Sequence, residues 1–127
     1  MKSILIDTDI LINFLRGRKK TREFLSSVVE DAVVYCSAIT VAEIFAGMKE
    51  QERSQTIDLL DSLNVVGVSR EIAEKAGMYK THARSQKLQL DDCLIAATAY
   101  ILQATLATGN AKHYPMDDIY KMRVAVE

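Results

Sequence analysis

A three-layer α/β fold, with helices on both faces of a mostly parallel sheet of four or five strands, is predicted from two observations. Short apolar runs rich in β-type residues alternate with amphipathic stretches at helical spacing, the pattern of a parallel sheet covered on both sides. The runs are also continuously apolar, as in strands buried on both faces. No linker, internal repeat or second apolar core interrupts the 127 residues, so residues 1–127 are expected to form one domain.

Ile4-Leu5-Ile6 is the first predicted strand. Ile10 to Leu15 is amphipathic and stops at Gly17, a helix terminator. A second helix is expected from Arg18 to Glu30, with Phe24, Leu25, Val28 and Val29 on one face. Val33 to Cys36 is the second strand, followed by helical stretches from Thr40 to about Gln51 and from Gln55 to Leu63. Val65 to Val68 is the third strand. Ser69 is placed to cap a long helix reaching about Gln86. A helix from Asp91 to Leu102 leads into the fourth strand, Thr105 to Thr108, and Met122 to Val126 is a fifth at the edge.

Hydrophobic residues make up 49% of the chain and Pro115 is its one proline, which excludes a disordered or low-complexity protein. A net charge of −1 gives no overall field to attract nucleic acid, so such contact requires a local patch or a bound metal. Cys36 and Cys93 lie in apolar runs and form no CxxC pair, which fits buried free thiols rather than a disulfide or zinc site. The opening apolar stretch is too short for a signal peptide and no segment is long enough to span a bilayer. A soluble cytoplasmic protein is expected.

Ligands of open parallel sheets bind beyond the carboxyl ends of the strands. Asp7 ends the first strand, Glu43 is expected in the first turn of the helix after the second, and Asn110 follows the fourth. Asp92 precedes the fourth strand, but a helix leading into a parallel strand runs antiparallel to it, so its N-terminus lies on the same edge. Three carboxylates brought together repel one another unless compensated. Mg²⁺ or Mn²⁺ supplies that compensation through oxygen ligands and activates water for phosphoester hydrolysis.

Each residue also has a structural reading. Thr40 and Glu43 spell a T-x-x-E capping box. Asp91 and Asp92 fit a helix cap and a charge complementing the helix dipole. Asn110 after Gly109 fits turn chemistry, and Asp7 alone fits a cap. Asp9, Thr8 and Ser37 fit caps or hydrogen bonds around the acids. His113 reads as an exposed loop histidine, Tyr100, Tyr114 and Tyr120 as packing residues. The run Arg16, Arg18, Lys19, Lys20 and Arg22 reads as a solvated face, or as guidance for phosphate. Phe14, Leu15, Phe24, Phe45 and Met48 exceed what one small core needs and suggest an exposed groove.

The segments bearing these residues resemble the PIN-domain ribonucleases, most closely the VapC-type toxins of toxin–antitoxin pairs. Residues 4–12 are similar to that family's opening strand and first acid, residues 37–47 to its second motif, residues 92–99 to its third and residues 108–114 to its fourth. The motifs run in family order over almost the whole chain. Asn110 departs from the aspartate often found there, and alignment to Ile95-Ala96-Ala97 favours Asp92 over Asp91 as the third acid. The resemblance implies a PIN-like fold and a metal-dependent endoribonuclease. Asp7, Glu43 and Asp92 would bind Mg²⁺ or Mn²⁺, with Asn110 as a fourth catalytic residue. It further implies an RNA substrate, a small VapB-type antitoxin as partner, and a homodimer within a toxin–antitoxin hetero-oligomer. Asp7-Thr8-Asp9 also resembles the DxD of small phosphatases, and a non-catalytic PIN-like binding module is the other alternative.

Overall fold

The computed structural model describes residues 1–83 and 87–126. Five strands form one sheet: β1 (Lys2–Ile6), β2 (Ala32–Ser37), β3 (Asn64–Val66), β4 (Thr105–Thr108) and β5 (Lys121–Arg123). The helices are α1 (Thr8–Leu15), α2 (Lys19–Asp31), α3 (Ala38–Gly47), α4 (Arg53–Asp61), α5 (Arg70–His82) and α6 (Leu90–Leu102). The strand order is β3-β2-β1-β4-β5 and every pairing is parallel. The expected sheet therefore forms with all five strands. Among the described residues, no helix is long and apolar enough to cross a membrane.

The side-chain alternation of β1 divides the core. Ile4 and Ile6 join Leu25 and Val28 of α2 and Leu59 and Leu60 of α4 on one face. Leu5 joins Ala76 of α5 and Ile95 and Ala96 of α6 on the other. Leu5 and Ile6 are fully buried, each contributing on the order of 2 kcal/mol through lost contact with water. Both cysteines are free and buried, as expected.

Several boundaries differ from the sequence reading. The helix read as starting at Thr40 starts at Ala38, because Ser37 caps it by accepting from the Ile39 N–H at 3.0 Å. It ends at Gly47 rather than near Gln51. Met48 and Lys49 are extended, and Glu52 accepts from the Lys49 N–H at 2.6 Å. That bond starts a separate 3₁₀ turn, Glu50–Glu52, which passes into α4 two residues before Gln55. Ser69 does cap α5, accepting from the Ile72 N–H at 3.1 Å. That helix ends at His82, and Gln86 lies outside the described residues. β3 and β5 are three-residue edge strands, each starting one residue earlier than expected and ending sooner.

Candidate active site

Strand order reverses at β1, from which the sheet runs through β2 to one edge and through β4 to the other. Loops leaving β1 and β4 there diverge to opposite faces, which opens a crevice. Asp7 stands at this point. Its backbone N–H donates to Ala107 O at 2.9 Å, closing the ladder between β1 and β4. Its side chain is 7% exposed. Oδ1 accepts from the Thr8 N–H at 2.8 Å, capping α1, and Oδ2 accepts from Thr108 Oγ1 at 2.7 Å. Thr108 in turn accepts from the Asn110 N–H at 3.0 Å, so one hydroxyl links the first acid to the loop after β4.

Glu43 approaches from α3. The helix begins at Ala38, so Glu43 lies in its second turn rather than its first. The proposed T-x-x-E cap does not form: Thr40 is buried inside the helix. Thr8 Oγ1 lies 2.6 Å from Glu43 Oε1 and 2.9 Å from Thr40 Oγ1. Thr8 has one hydroxyl proton; given to the carboxylate, it leaves Thr40 to donate to Thr8. Burial pushes the Glu43 carboxyl from its ordinary 4.5 up to about 7, helped by a hydrogen bond shared with the Asp91 carboxyl.

Asp92 lies in the first turn of α6. Burial raises its pKa, with the charges of Asp91 and Asp7 adding to the shift. Its Oδ1 faces the Tyr114 hydroxyl at 3.4 Å and its Oδ2 faces His113 Nδ1 at 4.0 Å. Asp91 does not cap α6, whose cap position is Gln89; its Oδ1 accepts from the Asp92 N–H at 2.9 Å. Asn110 is exposed, and its Nδ2 lies 3.0 Å from His113 Nε2. His113 is exposed as expected, yet it lies beside both Asn110 and Asp92.

Asp9 brings a further carboxyl. Its Oδ2 accepts from the Gly109 N–H at 3.0 Å, tying α1 to the loop after β4. A Cβ at Gly109 would collide with that carboxylate and with Val126, so glycine permits the close approach. Burial, then the charge of Asp7, lifts Asp9 from 3.8 to about 6. Its Oδ1 is buried without a hydrogen-bond partner among the described residues.

This donor set suits a hard divalent cation. It is all oxygen, three of its carboxyls have raised pKa values, and among the described residues no lysine or arginine lies within ion-pair distance of them, His113 alone approaching at 4.0 Å. No three His, Cys, Asp or Glu side chains among the described residues already stand around one point as a ready cage; the acids share a neighbourhood through pairwise contact.

Beside Glu43 runs a groove of about 310 Å³ lined by Ile12, Leu15, Arg16, Ile44, Met48 and Lys49. Leu15 and Met48 of the predicted apolar surplus line it, and Phe14, Phe24 and Phe45, like Leu15, pack against the core. Arg16 is the one member of the predicted basic run on its wall. Lys19 pairs with Glu23 in solvent, and Arg22 stacks over Phe14 at 4.8 Å.

A family model described as the PIN domain matches residues 4–119. The chain belongs to the PIN-domain family. Ribonuclease VapC10 of Mycobacterium tuberculosis is 39% identical to it over 97% of this chain and 94% of that protein. The fold is similar to that in the crystal structure of VapBC2 from Rickettsia felis bound to a promoter DNA fragment (TM-score 0.87, 22% identity, 96% of this chain and 98% of that one). It is similar also to a toxin–antitoxin complex from Klebsiella pneumoniae (TM-score 0.79, 27% identity, 94% and 99%).

Within this PIN domain, sequence reasoning located Asp7, Glu43 and Asp92 near one another. It missed Thr108 and gave Asp9 and Tyr114 smaller parts than their contacts show. A threonine ending the strand beside Asp7's strand was the available signal for the first.

Proposed function

We propose that this PIN domain is a VapC-type endoribonuclease, the toxin of a toxin–antitoxin pair, that hydrolyses RNA with Mg²⁺ or Mn²⁺ held by Asp7, Glu43 and Asp92. The observation that carries this reading is the gathering of the Asp7, Glu43 and Asp92 carboxyls around the end of β1 in a PIN-family chain, with no lysine or arginine of the described residues paired to them. A divalent cation there would polarise the scissile phosphate and lower the pKa of a bound water. The chain's own residues divide the remaining work. Thr8 and Thr108 aim Glu43 and Asp7, Asp9 fixes the loop bearing Asn110, and Asn110 supports the site next to His113.

Residues 1–127 act as one domain in this reading, in the cytoplasm and as a homodimer. The groove beside Glu43 receives a segment of a small antitoxin. Its apolar floor and its Glu43 and Glu52 carboxylates favour an apolar segment carrying a basic side chain, above all arginine, whose planar fork binds carboxylates. Family membership speaks against a DxD phosphatase.

RNA cleavage by the purified chain, assayed with Mn²⁺, with Mg²⁺ and with EDTA, tests the proposal. Cleavage is expected only with an added ion, and Asp92→Asn should reduce it by more than about a hundredfold. Undiminished cleavage in EDTA, or by folded Asp92→Asn, would overturn the assignment.

A further inference from the structure

We propose that Tyr114 is a positioning residue of this site, its buried hydroxyl donating to Asp92 so that this carboxylate presents its free lone pairs to a divalent cation beside Asp7. The proposal rests on the metal-dependent reading above and goes beyond it by assigning a residue outside the acidic set.

Three observations converge. The first is fixation. Tyr114 is 1% exposed and sits in the core layer with Leu5, Cys93 and Leu106. Its carbonyl accepts from Lys121 Nζ at 2.7 Å, and the same ammonium holds Met116 O at 2.8 Å. Ring and backbone are thus both held, which leaves the hydroxyl little choice of place. The second is where that hydroxyl falls. It lies 3.4 Å from Asp92 Oδ1, on the side of Asp92 where the charge of Asp7 also acts. A phenol is neutral near pH 7 and has one proton to donate.

The third is an asymmetry of support. Asp7 already has donors on both oxygens. Among the described residues, Asp92 has only Tyr114 on one oxygen and His113 at 4.0 Å from the other. Phenylalanine would fill the same core volume, whereas a buried phenol requires a polar partner. A lysine or arginine in this place would quench the carboxylates but would take the position of the cation. A neutral hydroxyl that donates to Asp92 offsets part of that carboxylate's charge without competing with metal. Partners that orient ligating carboxylates in this way typically change metal affinity by about 10- to 100-fold. The 3.4 Å separation is long for an O–H···O bond, and such contacts shorten when a site tightens around its ligand.

The test compares the wild-type chain with Tyr114→Phe by calorimetric Mn²⁺ titration and by RNA cleavage across a range of Mn²⁺ concentrations. The variant should bind Mn²⁺ about tenfold more weakly. The concentration giving half-maximal cleavage should rise by the same factor, while the rate at saturating Mn²⁺ stays within about twofold. A residue that only packs the core would leave the Mn²⁺ dependence alone. Unchanged Mn²⁺ affinity in a folded Tyr114→Phe chain overturns the proposal while leaving the nuclease reading intact. Failure of Tyr114→Phe to fold would assign the hydroxyl to stability and overturn it too. Absence of Mn²⁺ binding by the wild type would sink the metal reading, and this proposal with it.

Discussion

At the β1–β4 crevice, Asp7 is held by its surroundings on both oxygens, one by the Thr8 N–H and one by Thr108. At the α3 rim, Glu43 hangs on a longer side chain, takes one bond from Thr8 and faces another carboxyl, Asp91. The first carboxylate ends a buried central strand; the second borders an open groove. The difference separates an anchor from an adjustable partner. Fixed dipoles balance the charge on Asp7, so its geometry belongs to the fold. The charge on Glu43 is opposed by its neighbours, so its state should follow protons, cations and whatever enters the groove.

The strongest way to break this comparison is to neutralise each acid in turn. Both Asp7→Asn and Glu43→Gln should lower Mn²⁺-dependent cleavage by more than about a hundredfold, because each removes a proposed ligand. Their effects on the metal-free fold should differ. An amide at Asp7 keeps one acceptor for the Thr8 N–H and turns the other oxygen into a donor, so the bond with Thr108 must reverse and both bonds lose their charge assistance, at a cost of about 1 kcal/mol. Glu43→Gln relieves a like-charge contact and should leave the melting temperature unchanged or raise it. Thermal melts in EDTA read the contrast directly; equal destabilisation by the two variants would remove it.

A pH profile sharpens the same contrast with a smaller effect. Asp9, Glu43 and Asp92 all have folded pKa values above their ordinary ones, reaching about 6 for Asp9 and about 7 for Glu43. Across that interval the folded chain binds more protons than the unfolded chain, so stability falls as pH rises. The contribution is fully present below about pH 4 and is lost as pH passes through about 6 and then about 7. The metal-free melting temperature should therefore drop between about pH 5 and pH 8. Mn²⁺ should restore it most at the alkaline end, where the ion no longer competes with protons. Glu43→Gln should flatten the upper part of the fall. A metal-free profile that rises through this interval would contradict the buried, uncompensated state of these acids.

Strands were legible in the sequence because a strand buried on both faces leaves a continuous apolar run, as in Ile4-Leu5-Ile6. The placement of Asp92 followed from topology alone, since α6 must run antiparallel to β4. The capping box was misread because Ser37 and Thr40 are both competent caps, and only the Ser37 bond to Ile39 N–H decides between them. That two-residue shift moves Glu43 into the second turn, from which it reaches Thr8. The break at Met48 was hidden because Lys49, Glu50, Glu52 and Arg53 suit a continuous helix as well as the local bonds that interrupt it. Thr108 left only a weak signal, its place at the end of the strand beside β1: its partner Asp7 lies 101 residues away, and isolated hydroxyls at strand ends are common.

The smallest expected effect belongs to Asp91, and it tests which carboxyl of α6 serves the site. Asp91 bonds the Asp92 N–H and meets Glu43, whereas Asp92 feels the charge of Asp7 and lies beside Tyr114 and His113. Asp91 is therefore placed to act on the rim acid, and Asp92 on the crevice. An amide in place of Asp91 can donate to the Glu43 carboxylate, so it should favour the charged form of Glu43 rather than oppose it. Asp91→Asn should reduce cleavage by less than about tenfold, the lower range for a residue that supports a ligand, while Asp92→Asn costs more. It should also move the titration of the Glu43 carboxyl, followed by carbon NMR, to lower pH. Greater loss of cleavage from Asp91→Asn than from Asp92→Asn would transfer the third acid to Asp91. The line between anchor and rim would then run through α6 rather than between β1 and α3.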